Sequence, residues 1–344
     1  MTGSVPDDAA AGDAGEVGKP RLGRPRDWVI GSLLLGALIL GVELTLGWGG
    51  LLAPWRTLAP SVLAALILLS ALSYALRAAR VYDWLCLGDP QSGCAGRFPA
   101  VLRLSVLHNT ANNLLPMRAG ELVFPWLMGR YFGHGFFPAT AALVWIRLMD
   151  LHFLGLLGLA IAWLREPSWV WPAAAVLWVA ALGLLGLVGR RRPSWASGKG
   201  GRLRQLMGKA MTTVASAAPR SHLRTARAYL WTALTWVTKF LAFATLLRHF
   251  LPVDLWQALV GVMGAELSSV LPFHGIAGSG SYELAAVAAL VPAGVDPKAA
   301  LAGAVNLHLF LLGITALLGA FAFLLPKGPQ GDQRGGPSPD EGAD

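Results

Sequence analysis

Seven ionisable side chains stand within stretches that are otherwise apolar: the cations Arg118, Arg147 and Lys239, and the anions Glu121, Asp150, Glu266 and Glu283. A charge at bilayer depth costs about 2.5–3.5 kcal/mol on insertion scales, so each of these groups needs a partner, water or a ligand. Arg147 and Asp150 are three residues apart, one helical turn, and can pair with each other. The same spacing joins Arg118 to Glu121 if the chain is helical after Pro116. Lys239 has no acidic neighbour in sequence and must find a carboxylate on another helix, with Asp150, Glu266 and Glu283 as the candidates. Two chemistries fit this inventory. The pairs can be structural glue between helices, or Arg118 and Arg147 can hold a phosphate by bidentate contacts while the carboxylates set the ligand-free pairs and relay protons.

The elements that position these groups are membrane helices. Of the 344 residues, 55% are hydrophobic and 14% charged, and the mean hydropathy is +0.54, which gives an all-α fold class, a polytopic transmembrane helical bundle. Runs long enough to span, about 20 residues each, lie near 28–46, 60–80, 138–164, 169–189, 228–250 and 300–325. Two further stretches, 98–130 and 255–292, are apolar but broken by Pro, Gly or charge. The organisation is then a polar tail at 1–27, a transmembrane domain at 28–325 and a Gly- and Pro-rich tail at 326–344 that cannot bury apolar surface.

Between Arg190 and Arg227 there are ten basic residues and no acidic one, equal to more than the whole net charge of +9. By the positive-inside rule this loop, 190–227, is cytoplasmic, with holding anionic lipid headgroups as a secondary role; no aromatic-interleaved basic fold points to nucleic acid. Arg26, and Arg77 with Arg80 at the end of the second span, mark the same side. Counting spans from there places both termini in the cytoplasm and the chain in the cell (inner) membrane. It also makes each broken stretch start and end on one side. Interrupted backbone survives in hydrocarbon only within protein or along a wet cavity, so two such stretches, one before and one after the central loop, predict a site between them. No sequence similarity joins the two halves.

Other constellations are poor. Gly275 to Gly280 contains Gly-x-x-Gly-x-Gly, but no βαβ unit surrounds it; after Pro272, these glycines let the backbone turn tightly. Cys86 and Cys94 fall in a stretch assigned to the cytoplasm, where thiols stay reduced, so neither a disulfide nor zinc is expected. The seven His residues show no metal spacing. His108, His152 and His308 are expected to be satisfied by a neighbouring helix carbonyl, and His274 adjoins the broken loop. Several Trp residues (Trp28, Trp48, Trp55, Trp84, Trp169, Trp171) fall near span ends, as an interfacial belt requires, whereas Trp145 lies deeper, toward the expected cavity. Neither a nucleophile elbow nor a Ser-His-Asp arrangement is present.

Three motifs in order, Asn113-Leu-Leu-Pro116-Met-Arg118-Ala-Gly120-Glu121, Arg147-Leu-Met-Asp150 and Gly278-Ser-Gly280-Ser-Tyr-Glu283, resemble the lysylphosphatidylglycerol synthase transmembrane-region family of flippase-like integral membrane proteins, over roughly residues 28 to 325. The resemblance implies a helical bundle with re-entrant elements that moves a polar lipid headgroup, or holds it for a partner. Phe124, Ile146 and Tyr282 stand where that family often carries a charge, which implies a different or less charged lipid. Only about 20 residues follow the last span, so the aminoacyl-transfer domain of two-part members is not expected, nor enzyme activity, nor a cofactor. The expected function is a lipid translocator binding a headgroup between two broken helices, the lipid being an anionic or aminoacylated phospholipid or a polyprenyl carrier. The alternative is a non-catalytic subunit that holds a lipid carrier or product for a separate cytosolic or membrane synthase or glycosyltransferase. The substrate-binding candidates are Asn113, Arg118, Glu121, Arg147, Asp150, Lys239, Glu266, His274, Gly278, Gly280 and Glu283.

Overall fold

The structure, a computed structural model, describes residues 25–87, 93–190, 221–268 and 276–329, with the side chains of 27, 117, 118 and 182–190 excepted. The polar tail up to residue 24, most of the basic loop, His274 and the last fifteen residues lie outside the described residues.

Every regular element described is helical. In chain order they are α1 (Pro25–Thr45), α2 (Trp48–Leu52), α3 (Pro60–Val81), α4 (Phe98–Leu114), α5 (Val123–Phe132), α6 (Phe136–Arg165), α7 (Val170–Arg190), α8 (His222–Phe250), α9 (Leu255–Ser268), α10 (Ser281–Leu290) and α11 (Pro297–Ala322). Among the described residues five helical spans are long and apolar enough to cross a membrane: Trp28–Thr45, Pro60–Cys86, Phe136–Arg165, His222–Phe250 and Pro297–Ala322. They coincide with five of the six runs expected from sequence, and α7 coincides with the sixth. At about 1.5 Å per residue, the 30 residues of α6 reach well beyond a hydrocarbon core of about 30 Å.

The second span is longer than its apolar run suggests. After Val81 the helix continues through a π-helical turn, Tyr82–Cys86, so Arg77 and Arg80 lie inside the span and are buried. They are not markers of its end. The chain then returns to α4, and Cys86 is disulfide-bonded to Cys94, with both side chains fully buried. The expectation of free thiols is therefore corrected: it rested on an assigned compartment, whereas the turn brings the two Cα atoms to 5.2 Å, within ordinary bridging distance.

Both stretches read as interrupted are interrupted. The first runs α4, a 3-10 segment at Pro116–Leu122, then α5. Pro116 cannot continue the α4 ladder and Leu115 is extended (φ −82°, ψ 140°). The second runs α9, a 3-10 turn at Ile276–Gly278, then α10. Its turn carries three residues of left-handed backbone, Ala277 (φ 57°), Gly278 (φ 77°) and Gly280 (φ 83°), which is the tight reversal the glycines were expected to allow. The two breaks pack against each other and against α1 and α4, so they meet within the bundle.

Hydrocarbon offers no hydrophobic drive between helices, so small residues and close packing must hold them together. The α8–α11 assembly follows this rule. Ala242, Ala244, Ala258, Ala265, Ala286, Ala300 and Ala304 are all buried in one cluster with Leu246, Leu247, Leu290, Leu307 and Phe310. Exposed apolar side chains on the outside, such as Leu33, Leu68, Val176 and Leu241, give the lipid-facing surface of a multi-pass membrane protein.

Candidate functional site

Polar groups of the first break and of the helices around it converge on one chamber of about 490 Å³. Its polar wall comes from α3 (Ser70, Ser73, Tyr74, Arg77), the end of α4 and the first break (Asn109, Asn112, Asn113, Glu121), α6 (Thr140, Arg147, Asp150), α8 (Lys239) and α9 (Glu266). Its apolar wall includes Leu154, Phe243, Leu311 and Ile314, all buried. On one side the wall is exposed: Leu122 from the first break and Val144, Leu148 and Leu151 from α6 line the chamber and face outward too.

Arg147 is the hub. Its Nε donates to Glu121 Oε1 at 3.1 Å, and Nη2 lies 2.8 Å from the same oxygen. Nη1 reaches Asp150 Oδ2 at 3.5 Å, the one-turn pair expected from spacing. Nη2 also donates toward His108 Nε2 at 3.4 Å. His108 Nδ1 in turn donates to the carbonyl of Gly120 at 3.1 Å; a nitrogen that accepts from a guanidinium and one that donates to a carbonyl define a neutral imidazole. The first break is thereby tied to α4 through His108, and Glu121 is held between Arg147 and the Asn112 amide, which donates at 2.9 Å.

Asp150 has a stronger partner than Arg147. Arg80 meets it in a two-point contact, Nη1 to Oδ1 at 2.7 Å and Nη2 to Oδ2 at 3.4 Å, with side-chain exposures of only 3% and 6%. Trp236 Nε1 donates to the same Oδ1 at 3.0 Å and Thr232 accepts from Arg80 at 2.8 Å. Lys239 finds Glu266 at 2.6 Å, which decides among the three carboxylates considered, and lies over the rings of Trp236 and Phe243. Asn113 donates to Thr315 Oγ1 at 2.9 Å and to the Tyr74 hydroxyl at 3.1 Å, joining the end of α4 to α11 and α3.

Arg77 differs from the other cations. Its guanidinium lies 5.2 Å over the Trp236 ring, and among the described residues it makes neither an ion pair nor a hydrogen bond. It also lines the chamber.

The remaining expectations are met unevenly. The Arg118 side chain and His274 lie outside the described residues, so the one-turn Arg118–Glu121 pair is not among the described contacts, and that segment is 3-10 and not α-helical. Glu283, Gly278 and Gly280 do not line the chamber. Glu283 faces His308 at 2.5 Å and accepts from the Gly280 N–H at 2.8 Å, so among the described residues the second interrupted stretch reaches the polar wall through Glu266 of α9. Trp145 is buried in the packing of α6 and does not line the chamber either. His108, His152 and His308 each donate to a backbone carbonyl, of Gly120, Trp178 and Ala277, as expected. Among the described residues no group of His, Cys, Asp and Glu fits a metal ion.

The model of the lysylphosphatidylglycerol synthase TM region matches residues 28–319. The chain belongs to that family. Comparison with curated proteins and with solved structures gave no match. Membership makes this a membrane protein related to lipid metabolism or transport, and the match covers the TM region with no catalytic domain detected. At Phe124, Ile146 and Tyr282 the chain builds packing. Phe124 is buried and meets His108 edge-to-face, at 5.4 Å between ring centroids, Ile146 of α6 is buried in one cluster with residues of α4 and α5, and Tyr282 stacks on His308 at 4.4 Å.

Arg77 and Arg80 are the site residues that sequence reasoning missed. The signal was present in Asp83 and Trp84, a charged and interfacial pair that ends a span better than Arg80 does.

Proposed function

We propose that this chain translocates a phospholipid whose phosphate is held by Arg77, Arg147 and Lys239, with the headgroup in the chamber and the acyl chains leaving through the gap beside Leu122, Val144, Leu148 and Leu151. The observation that carries the reading is Arg77. Among the described residues the cluster holds four cations (Arg77, Arg80, Arg147, Lys239) and three anions (Glu121, Asp150, Glu266), leaving one positive charge at bilayer depth without a counter-charge. A phosphodiester carries one negative charge and offers oxygens in the plane that a guanidinium fork favours. Trp236 beneath the guanidinium fixes its orientation without neutralising it.

The exposed apolar residues at the mouth favour a lipid over a water-soluble anion, because a solute drawn from water has no use for a lipid-facing entrance. A volume of about 490 Å³ is in the range of small-molecule sites, about 300–1,000 Å³, enough for a headgroup without its chains. Glu121 and Asp150 hold Arg147 when no lipid is bound.

The test is reconstitution in vesicles with headgroup-labelled phospholipid and a membrane-impermeant quencher. Translocation is expected from the natural chain, and Arg77→Gln is expected to lower it about 10- to 150-fold, the loss of one charged hydrogen-bonding contact of about 1.5–3 kcal/mol. Undiminished translocation by folded Arg77→Gln rejects the assignment. Lipid binding without translocation assigns the role of a lipid-holding subunit instead.

A further inference from the structure

Outside the chamber, one buried pair of ionisable groups does no work in holding a headgroup. His308 on α11 and Glu283 on α10 face each other at 2.5 Å between Nδ1 and Oε1, with side-chain exposures of 4% and 3%. His308 Nε2 lies 2.8 Å from the carbonyl oxygen of Ala277, which can only accept, so the ε nitrogen carries a hydrogen. A neutral ring of that tautomer presents a lone pair at Nδ1. An ionised Glu283 presents lone pairs as well, and two lone pairs do not sit 2.5 Å apart. The contact therefore holds a proton, carried either by the ring or by the carboxyl group.

That proton joins three separate pieces of chain. Glu283 Oε2 accepts from the Gly280 N–H at 2.8 Å, His308 holds the Ala277 carbonyl, and Ala277 and Gly280 are the left-handed residues of the second break. From this geometry we infer that Glu283 and His308 form a proton-binding site that latches the second break to α11, so that loss of the proton to water frees the break. Because the second break packs on the first, whose Glu121 holds Arg147, the latch couples protonation to the chamber. This last consequence rests on the translocation reading; the site itself does not.

Among the described residues no further ion pair reaches either group. Tyr282 stacks on the His308 ring. Glu266 of α9 acts electrostatically on Tyr282 and is itself matched by Lys239. The second turn of α1 meets the break with Gly31 beside Ile276. Neither α1 nor α4 gives Glu283 or His308 an ion pair or hydrogen bond among the described residues.

The test is amide hydrogen exchange of residues 276–283 in lipid nanodiscs from about pH 5 to about pH 10, a range bounded by carboxylate and lysine titration, corrected for the intrinsic base-catalysed rate. Protection is expected to hold on the acid side and then to fall by about tenfold per pH unit once the single proton is lost. Glu283→Gln, whose amide satisfies both Gly280 and the Nδ1 lone pair without titrating, is expected to give a flat profile. His308→Gln, whose side chain takes up no proton, is the second variant and must lose the alkaline step even if Glu283→Gln fails to fold. A corrected profile that is flat in the natural chain, or an unchanged step in either folded variant, overturns the latch. In the vesicle assay, an imposed pH gradient is expected to alter translocation by the natural chain and not by Glu283→Gln. Equal response of both overturns the coupling, and translocation that is nil in every protein overturns the lipid reading while the exchange profile still decides the latch.

Discussion

Replacing Asp150 by Ala is the sharpest perturbation of the bundle. The carboxylate accepts from Arg80, Trp236 and Arg147, joining α3, α6 and α8. Its removal leaves the Arg80 guanidinium, 3% exposed and with its Nε already unpartnered, with Thr232 as its remaining hydrogen-bond partner. Polar contacts between membrane helices average only about 0.6 kcal/mol in double-mutant cycles. Stranding one member of a buried ion pair instead costs about 3–5 kcal/mol, since the remaining charge is left uncompensated. The second figure applies here because both partners are ionised and out of water. Glu121→Gln is the control: Glu121 and Arg147 are 25% and 29% exposed, so water screens the remaining charge and the expected loss is under about 1 kcal/mol. Equilibrium unfolding in bicelles, read by tryptophan fluorescence, compares the two, and the double variant Asp150→Ala with Arg80→Ala should recover part of the loss. An Asp150→Ala cost no larger than that of Glu121→Gln would show that Arg80 is hydrated, and the Arg80–Asp150 pair would not be the buried ion pair described above.

Other perturbations have equally definite outcomes. A Cβ at Gly120 would meet the Asn112 backbone nitrogen at 2.3 Å, and backbone cannot yield as a side chain can; Gly120→Ala is expected to lower the yield of folded protein sharply, and a normal yield with an unchanged melting point would contradict the tight seating of the first break. Leu148→Trp fills the lipid-facing gap without touching a charge and is expected to slow lipid movement several-fold in the vesicle assay while leaving the unfolding transition in place. Neutralising Arg147, or Arg118 in the first motif, is expected to abolish lipid movement with folded protein still in the membrane; normal transport by both variants would reject a role for them.

The long apolar runs made the bundle legible, because hydrocarbon permits so few backbone arrangements that a run of about 20 apolar residues fixes an element. Pro116 and the Gly275–Gly280 cluster disclosed the two breaks for the same reason. The arrangement of the charges was only partly visible. Arg147 with Asp150 is a local pair and showed in the spacing, whereas Arg80 with Asp150 and His308 with Glu283 are 70 and 25 residues apart, and no periodicity encodes which helices become neighbours. Arg77 and Arg80 were taken for the end of a span because their charge outweighed the helix-compatible residues that follow. The separation of Glu283 from the chamber depends on His308, a histidine that looked like ordinary core.

Lipid density at near-atomic resolution in a nanodisc structure tests the central claim most directly. A phosphate within hydrogen-bonding distance of Arg77, with acyl chains passing beside Leu148 into the bilayer, is the expected result. A chamber filled only by water or side chains, with lipid phosphates confined to the two membrane surfaces, would contradict it.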